Sequence, residues 1–347
     1  MNEPIVPRLY FAPLEGVTDR FFRAIHASLF SDCLPDAYFA PFFTPTQDTP
    51  MTDRDRAAVL PENNPGMTTV PQIMSNTPGT FLLGARMLAD MGYTEVNLNL
   101  GCPSGTVTSR GRGAGFLSDP DALDRFFDEV FSDLLFSPYG GGMRLSVKTR
   151  LGLFAPDEFH DILPVYNRYP ISELILHPRV RREMYRGDVH TDMTVWTAQN
   201  TSIPLCINGD LFTPEDVTSV CDALGALPHA VMLGRGAVSN PMLFAGVRAA
   251  LSGAKLPPID KARIYRFYEA LCEDARTRLS GERHVLFRMK ELFACWIILF
   301  SDAESHRRRL RKANTVDEFR AAAESLFAEC ELYPDAGFVG NAKMNVN

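Results

Sequence analysis

Over roughly its first 250 residues the chain repeats one unit about eight times: a short apolar run ending in polar or charged residues, a loop marked by Gly or Pro, and an amphipathic segment. The apolar runs are Arg8 to Ala12, Ala37 to Ala40, Thr69 to Met74, Glu95 to Leu100, Arg144 to Arg150, Glu173 to Arg179, Pro204 to Asp210 and Ala230 to Ala237. Strands that alternate with helices must pair in parallel, because each helix carries the chain back before the next strand begins. About eight such units predict a (β/α)8 TIM barrel, in which chemistry collects at the carboxyl ends of the strands. After Pro257-Pro258 the strand pattern stops and 260–332 shows apolar residues at helical spacing. The expectation is therefore a barrel over 1–254, a smaller all-helical domain over 255–333 and a tail over 334–347.

The strand from Glu95 runs directly into Gly101-Cys102-Pro103-Ser104-Gly105. Gly101 permits close backbone approach and Pro103 fixes φ, so Cys102 is presented on a restricted turn. Free cysteine is usually a small buried hydrophobe, but a loop position on a rigid scaffold favours chemistry. Asn99 leaves an amide near the mouth of that strand. Beyond it, Ser109 to Gly115 reads as a flexible cationic loop before a helix beginning near Asp119.

The other strand ends are equally polar. Gln72 interrupts an apolar run, and a buried amide needs partners, whether a ligand or a neighbouring strand. Lys148 and Arg150 alternate with apolar residues and so share one face, as expected for an anionic or electron-rich ligand. His177 and Arg179 close the next strand, and Asn208-Gly209-Asp210 the one after. Gly234-Arg235-Gly236 offers backbone N–H groups and a guanidinium to a phosphate, with a helix expected from near Asn240. The loop Pro13-Leu14-Glu15 lies at the carboxyl end of the first strand.

Composition narrows the class. With 46% hydrophobic and 22% charged residues this is an ordinary globular chain. Met1 to Pro13 lacks a secretory pattern, and the longest strongly apolar run, Phe293 to Phe300, is too short to span a bilayer, so the expected location is the cytoplasm. Seven cysteines without a Cys-x-x-Cys pair argue against a disulfide framework and a zinc site. No metal and no obligate protein partner is indicated. The net charge is -7, yet 255–312 holds 14 Lys/Arg against 8 Asp/Glu, the asymmetry of either a nucleic-acid face or a solvated helical surface.

Six motifs in register then carry a resemblance to the tRNA-dihydrouridine synthases, flavin-dependent reductases of uridine in tRNA. They are Ala12-Pro13-Leu14-Glu15-Gly16-Val17-Thr18-Asp19, Asn99-Leu100-Gly101-Cys102-Pro103, Val147-Lys148-Thr149-Arg150, His177-Pro178-Arg179, Asn208-Gly209-Asp210 and Gly234-Arg235-Gly236. The resemblance implies FMN at the top of the barrel, touched by Pro13, Leu14 and Glu15, hydrogen-bonded by Gln72 and Lys148, with His177 beside it. Asn208, Gly209, Asp210, Gly234 and Arg235 would hold its phosphate end. It further implies hydride transfer from reduced FMN to uracil C6, with Cys102 as the general acid at C5. Asn99, Arg150 and Arg179 become candidates to hold the base. Tyr185, Arg186 and the basic segment containing Arg288 and Lys290 would meet the tRNA. NADPH would donate electrons transiently, since no Rossmann fingerprint is present.

The sequence departs from the family at Leu14, commonly methionine; at Asn97, commonly an acid; and at Asn76 and Pro178, each commonly glycine. Two other readings compete. One is an FMN barrel reducing a free small molecule, of the dihydroorotate or enoate type, and the other is a non-catalytic RNA-binding barrel.

Overall fold

A computed structural model describes residues 6–137 and 142–333. The expected tail over 334–347 and most of the Gly-rich stretch after Pro138 lie outside the described residues. Nine parallel strands form the sheet: β1 (Arg8–Phe11), β2 (Ala37–Phe39), β3 (Thr69–Val70), β4 (Gln72–Ile73), β5 (Glu95–Leu100), β6 (Arg144–Thr149), β7 (Glu173–Leu176), β8 (Leu205–Asn208) and β9 (Ala230–Leu233). β1 pairs with both β2 and β9, and from β5 to β9 each strand pairs with the next.

The run from Thr69, expected as one strand, is split at Pro71. Its first half, β3, pairs with β2, and its second half, β4, pairs with β5. Pro71 has no N–H to give a ladder, while its carbonyl accepts from the N–H of Asn97 at 3.0 Å. One broken strand thus joins the two edges, and the eight-unit barrel of the sequence pattern is the fold.

Strand alternation divides the core into two clusters. Leu9, Phe11, Val96, Leu98, Leu145 and Val147 pack outward against the helices. Tyr10, Ala12, Phe39, Ile175, Cys206 and Met232 fill part of the barrel interior. On β5 and β6 the alternate positions are polar: Asn97, Asn99, Ser146 and Lys148. The interior is therefore apolar on one flank and polar on the other.

Helices Lys261–Arg278, Glu282–Trp296, Glu304–Lys312 and Val316–Glu329 follow the barrel. Their core continues that of the barrel: Phe267 packs edge-on against Phe22 and Phe30, and Trp296 Nε1 donates to the Val238 carbonyl at 2.6 Å.

Two local expectations are corrected. The helix after β9 begins at Arg235, immediately after Gly234, and ends at Ser239; a second runs over Leu243–Leu251. Asn240 closes the first through its N–H to the Gly236 carbonyl, and its Oδ1 accepts from Met242 N. The stretch Ser109 to Gly115, expected as a loop throughout, is turn and loop only to Arg112; Gly113 to Gly115 begin a 3-10 segment, Gly113–Ser118, that packs on the helical turn Gly105–Thr108. A Cβ on Gly115 would sit 2.6 Å from the Thr108 carbonyl oxygen, so the two pieces pack backbone to backbone.

Candidate active site

A cavity of about 540 Å3 opens at the carboxyl ends of the strands, within the usual size range of small-molecule and cofactor sites. Pro13, Leu14 and Glu15 from the loop after β1 line one side, and Asn99 and Cys102 another. Lys148, Arg150 and His177 form the polar floor, with Tyr185, Arg186 and Arg235 nearby. Glu291 and Cys295 complete the wall from helix Glu282–Trp296.

Cys102 is part-buried, whereas the other six cysteines are buried. Its turn is clamped from several directions. Asn99 Oδ1 accepts from the N–H groups of Gly101 at 3.0 Å and Cys102 at 2.9 Å. Arg150 Nε donates to the Gly101 carbonyl at 2.9 Å, and the Cys102 carbonyl accepts from Ala114 N at 3.1 Å. Gly113 approaches so closely that a Cβ there would lie 2.9 Å from the Cys102 carbonyl oxygen. Burial pushes the Cys102 thiol above its ordinary pKa, against the opposing pull of a backbone hydrogen bond and of Arg150. The thiol is therefore protonated at neutral pH.

The floor is cationic. Lys148 Nζ donates to Asn208 Oδ1 at 3.1 Å, and burial, with Arg150 adding to it, brings its pKa down to about 8. Arg150 donates to the Gly101 and Val180 carbonyls, and its pKa falls to about 10, chiefly through burial. Among the described residues both cations bond to neutral groups. His177 is held well below its ordinary pKa by burial and then by Arg150, Lys148, Arg179 and Arg235, so its ring is neutral. The Tyr185 ring lies between Arg150 at 5.3 Å and Arg235 at 4.9 Å.

Several expected site residues occupy other places. Gln72 is fully buried and its amide bonds Asn97 and Asn99, the strand-bonding alternative for that residue. Arg179, expected at the base, is fully buried; it grips Asp210 with both terminal nitrogens, at 2.7 and 2.5 Å, and donates to the Gly187 carbonyl. Asp210 also pairs with Arg235 at 2.5 Å. Asn208, Gly209 and Asp210 line a separate hollow of about 190 Å3 with Pro178 and Val189.

Arg288 and Lys290, expected on an RNA face, are half-buried and bond to backbone carbonyls of this chain. Arg288 donates to the carbonyls of Gly16 and Val17, tying the helix to the loop after β1. Lys290 donates to the carbonyls of Arg311 and Ala313 at the end of helix Glu304–Lys312. Arg283, Arg308, Arg311 and Lys312 remain exposed. Sequence reasoning missed Glu291 and Cys295; their four-residue spacing puts both on one helix face, but no local signal says that this face meets the barrel mouth.

The family model for dihydrouridine synthase matches residues 10–331. The chain belongs to the dihydrouridine synthase family. It is 28% identical over 294 residues to the tRNA-dihydrouridine synthase B of Proteus vulgaris, covering 82% of this chain and 86% of that one. It is 31% identical over 251 residues to a probable tRNA-dihydrouridine synthase of Staphylococcus aureus strain Mu50, covering 69% and 71% respectively. Among solved structures, histamine dehydrogenase from Rhizobium sp. 4-9 superposes with a TM-score of 0.50 at 10% identity, over 79% of this chain and 49% of that one, a likeness of fold alone. Among the described residues no cluster of three or more His, Cys, Asp or Glu could hold a metal. No helix there is long and apolar enough to cross a membrane.

Proposed function

We propose that this family member reduces uridine in tRNA to 5,6-dihydrouridine, with Cys102 as the proton donor, FMN in the cavity at the barrel mouth and NADPH as a transient source of electrons in the cytoplasm. The observation that carries the reading is one clamped, protonated thiol facing a cavity whose cations, Lys148 and Arg150, are matched by neutral partners.

That donor set fits a flavin mononucleotide. A half-buried ammonium and a buried guanidinium without a carboxylate partner favour an electron-rich or anionic group, and neutral His177 offers a hydrogen-bonding nitrogen without adding charge. Pro13 to Glu15, Lys148, His177 and Arg235 would hold the group, with the backbone at Gly234 close by. Bound there, FMN would supply the hydride that reaches uracil C6.

The chain's own part is proton transfer and positioning. Cys102 Sγ gives its proton to C5, and the thiolate that results is stabilised by Arg150 and Lys148, whose fields act in its favour. Arg150 reaches the base from a guanidinium already fixed by two carbonyls. Tyr185, stacked between two guanidinium groups, and Arg186 stand where the flanking nucleotides would enter. The exposed cations of the C-terminal helices offer the phosphate backbone a surface.

The test uses unmodified tRNA, purified protein, FMN and NADPH. Dihydrouridine appears with the wild type, and Cys102→Ala lowers its rate by at least about 100-fold while flavin still binds. Turnover in Cys102→Ala at the wild-type rate removes the thiol from the mechanism. Reduction of free uracil derivatives with none of tRNA would select the small-molecule reductase instead.

A further inference from the structure

Glu95 begins β5, and Asn99, which clamps the Cys102 turn, lies four residues on, roughly 13 Å along the strand. We propose that Glu95 sets the orientation of the Cys102 turn from the far end of the barrel, through a one-way chain of hydrogen bonds whose middle links are buried. The chain starts at the N–H groups of Gly101 and Cys102, which donate to Asn99 Oδ1. Asn99 Nδ2 donates to Gln72 Oε1 at 2.8 Å, and Gln72 Nε2 to Asn97 Oδ1 at 2.7 Å. Asn97 Nδ2 donates to Ser146 Oγ at 3.0 Å, and Ser146 Oγ to Glu95 Oε1 at 3.1 Å. Arg144 holds the other carboxylate oxygen at 2.9 Å.

Every donor in this series points toward Glu95. An ionised carboxylate only accepts, so Ser146 must donate to it and leave a lone pair toward Asn97. Asn97 must then present its amide nitrogen to Ser146 and its oxygen to Gln72, and the same logic passes through Gln72 to Asn99. Turning any one amide over sets donor against donor and acceptor against acceptor. Gln72, Asn97 and Ser146 are fully buried, so solvent does not reach the middle of the series to repair a mismatch there, and Asn99 meets the cavity at one end only. A reversed Asn99 would point its amide nitrogen at two N–H groups and release the turn.

Asn97 is the link that makes the connection long. An acid at that position would end the chain itself, as a terminal acceptor for Gln72; the neutral amide passes the constraint on to Ser146 and Glu95. Glu95, Ser146, Asn97 and Gln72 are thus positioning residues for Cys102, which none of them touches.

The proposal builds on the reading of Cys102 as the acid, but its first test does not need that reading. In full-length protein, the rate of Cys102 alkylation by iodoacetamide is followed by peptide mass spectrometry across pH. Glu95→Leu, Ser146→Ala and Asn97→Leu each speed the alkylation by about five-fold, the equivalent of about 1 kcal/mol in freedom of the turn. Asn97→Asp restores the terminal acceptor and stays within about two-fold of wild type. Arg144→Ala, which breaks the ion pair and leaves the chain intact, also stays within that range. Dihydrouridine formation then shows a lower kcat with an unchanged KM for tRNA in the first three variants. Should Asn97→Leu fail to fold, Ser146→Ala, which removes one oxygen, decides. Folded Ser146→Ala and Glu95→Leu proteins with wild-type Cys102 alkylation would overturn the proposal, whether or not the protein makes dihydrouridine.

Discussion

Lys148→Met should make the ligand-free protein more stable while destroying its function. Lys148 titrates near pH 8 in the folded protein, against an ordinary value of 10.5. At about 1.4 kcal/mol per pH unit, holding its charge in the barrel costs about 3 kcal/mol. Methionine of similar length removes that penalty but leaves Asn208 Oδ1 without its donor, a loss of about 1 kcal/mol. The net gain at pH 7 is about 2 kcal/mol, or roughly 3 °C in Tm for a chain of this size. The pH dependence gives the sharper signature. Between pH 8 and 10.5 the unfolded chain keeps a proton that folded Lys148 has released, so wild-type stability rises through that window. Below pH 8 both states are protonated and the penalty is complete; above 10.5 it vanishes. Thermal unfolding of ligand-free wild type and variant at pH 7, 8, 9 and 10 should show a gap that closes as pH rises. A variant less stable than wild type at pH 7, or a gap independent of pH, would refute the argument. The same variant should lose flavin affinity, because the charge that is costly in the empty barrel is the one that a bound anionic or electron-rich group offsets.

Two further changes probe the supports of the site. Arg288→Ala removes two donors from the Gly16 and Val17 carbonyls; it should cost about 1–3 kcal/mol and speed hydrogen exchange of the loop from Pro13 to Thr18, with far less effect at β5. Gly115→Ala places a methyl 2.6 Å from the Thr108 carbonyl oxygen and 2.8 Å from its Cα, so backbone has to shift; stability should fall by about 1–3 kcal/mol and Cys102 should become more open to alkylation, both read on one purified sample.

The barrel was legible because its evidence is local and repeated: a short apolar run, polar or charged residues at its end, and a helical stretch after it. The break at Pro71 was not read from the sequence, where Thr69 to Met74 is one strand, because which neighbour each half pairs with depends on closure of the whole sheet. Cys102, Lys148, Arg150, His177, Tyr185, Arg186 and Arg235 line the cavity because strand ends and their loops converge there by architecture. Charge in a sequence does not disclose its partner. Arg179 finds Asp210, 31 residues later, and Arg288 finds Gly16, 272 residues earlier, so neither is free in the way a basic count implies. For Gln72 the sequence left ligand and neighbouring strand both open, and the amide on β5 took it. Glu291 and Cys295 were illegible for a related reason: a helix face shows that something is covered, but not by what.

Those two residues carry a consequence for how such proteins can be recombined. The helical segment contributes Glu291 and Cys295 to the cavity as well as exposed arginines to the surface. A chimera that exchanges this segment between relatives would exchange part of the cavity wall together with the exposed cations. Surface charge and cavity wall are physically linked here, and a graft that leaves helix Glu282–Trp296 in place keeps the cavity whole.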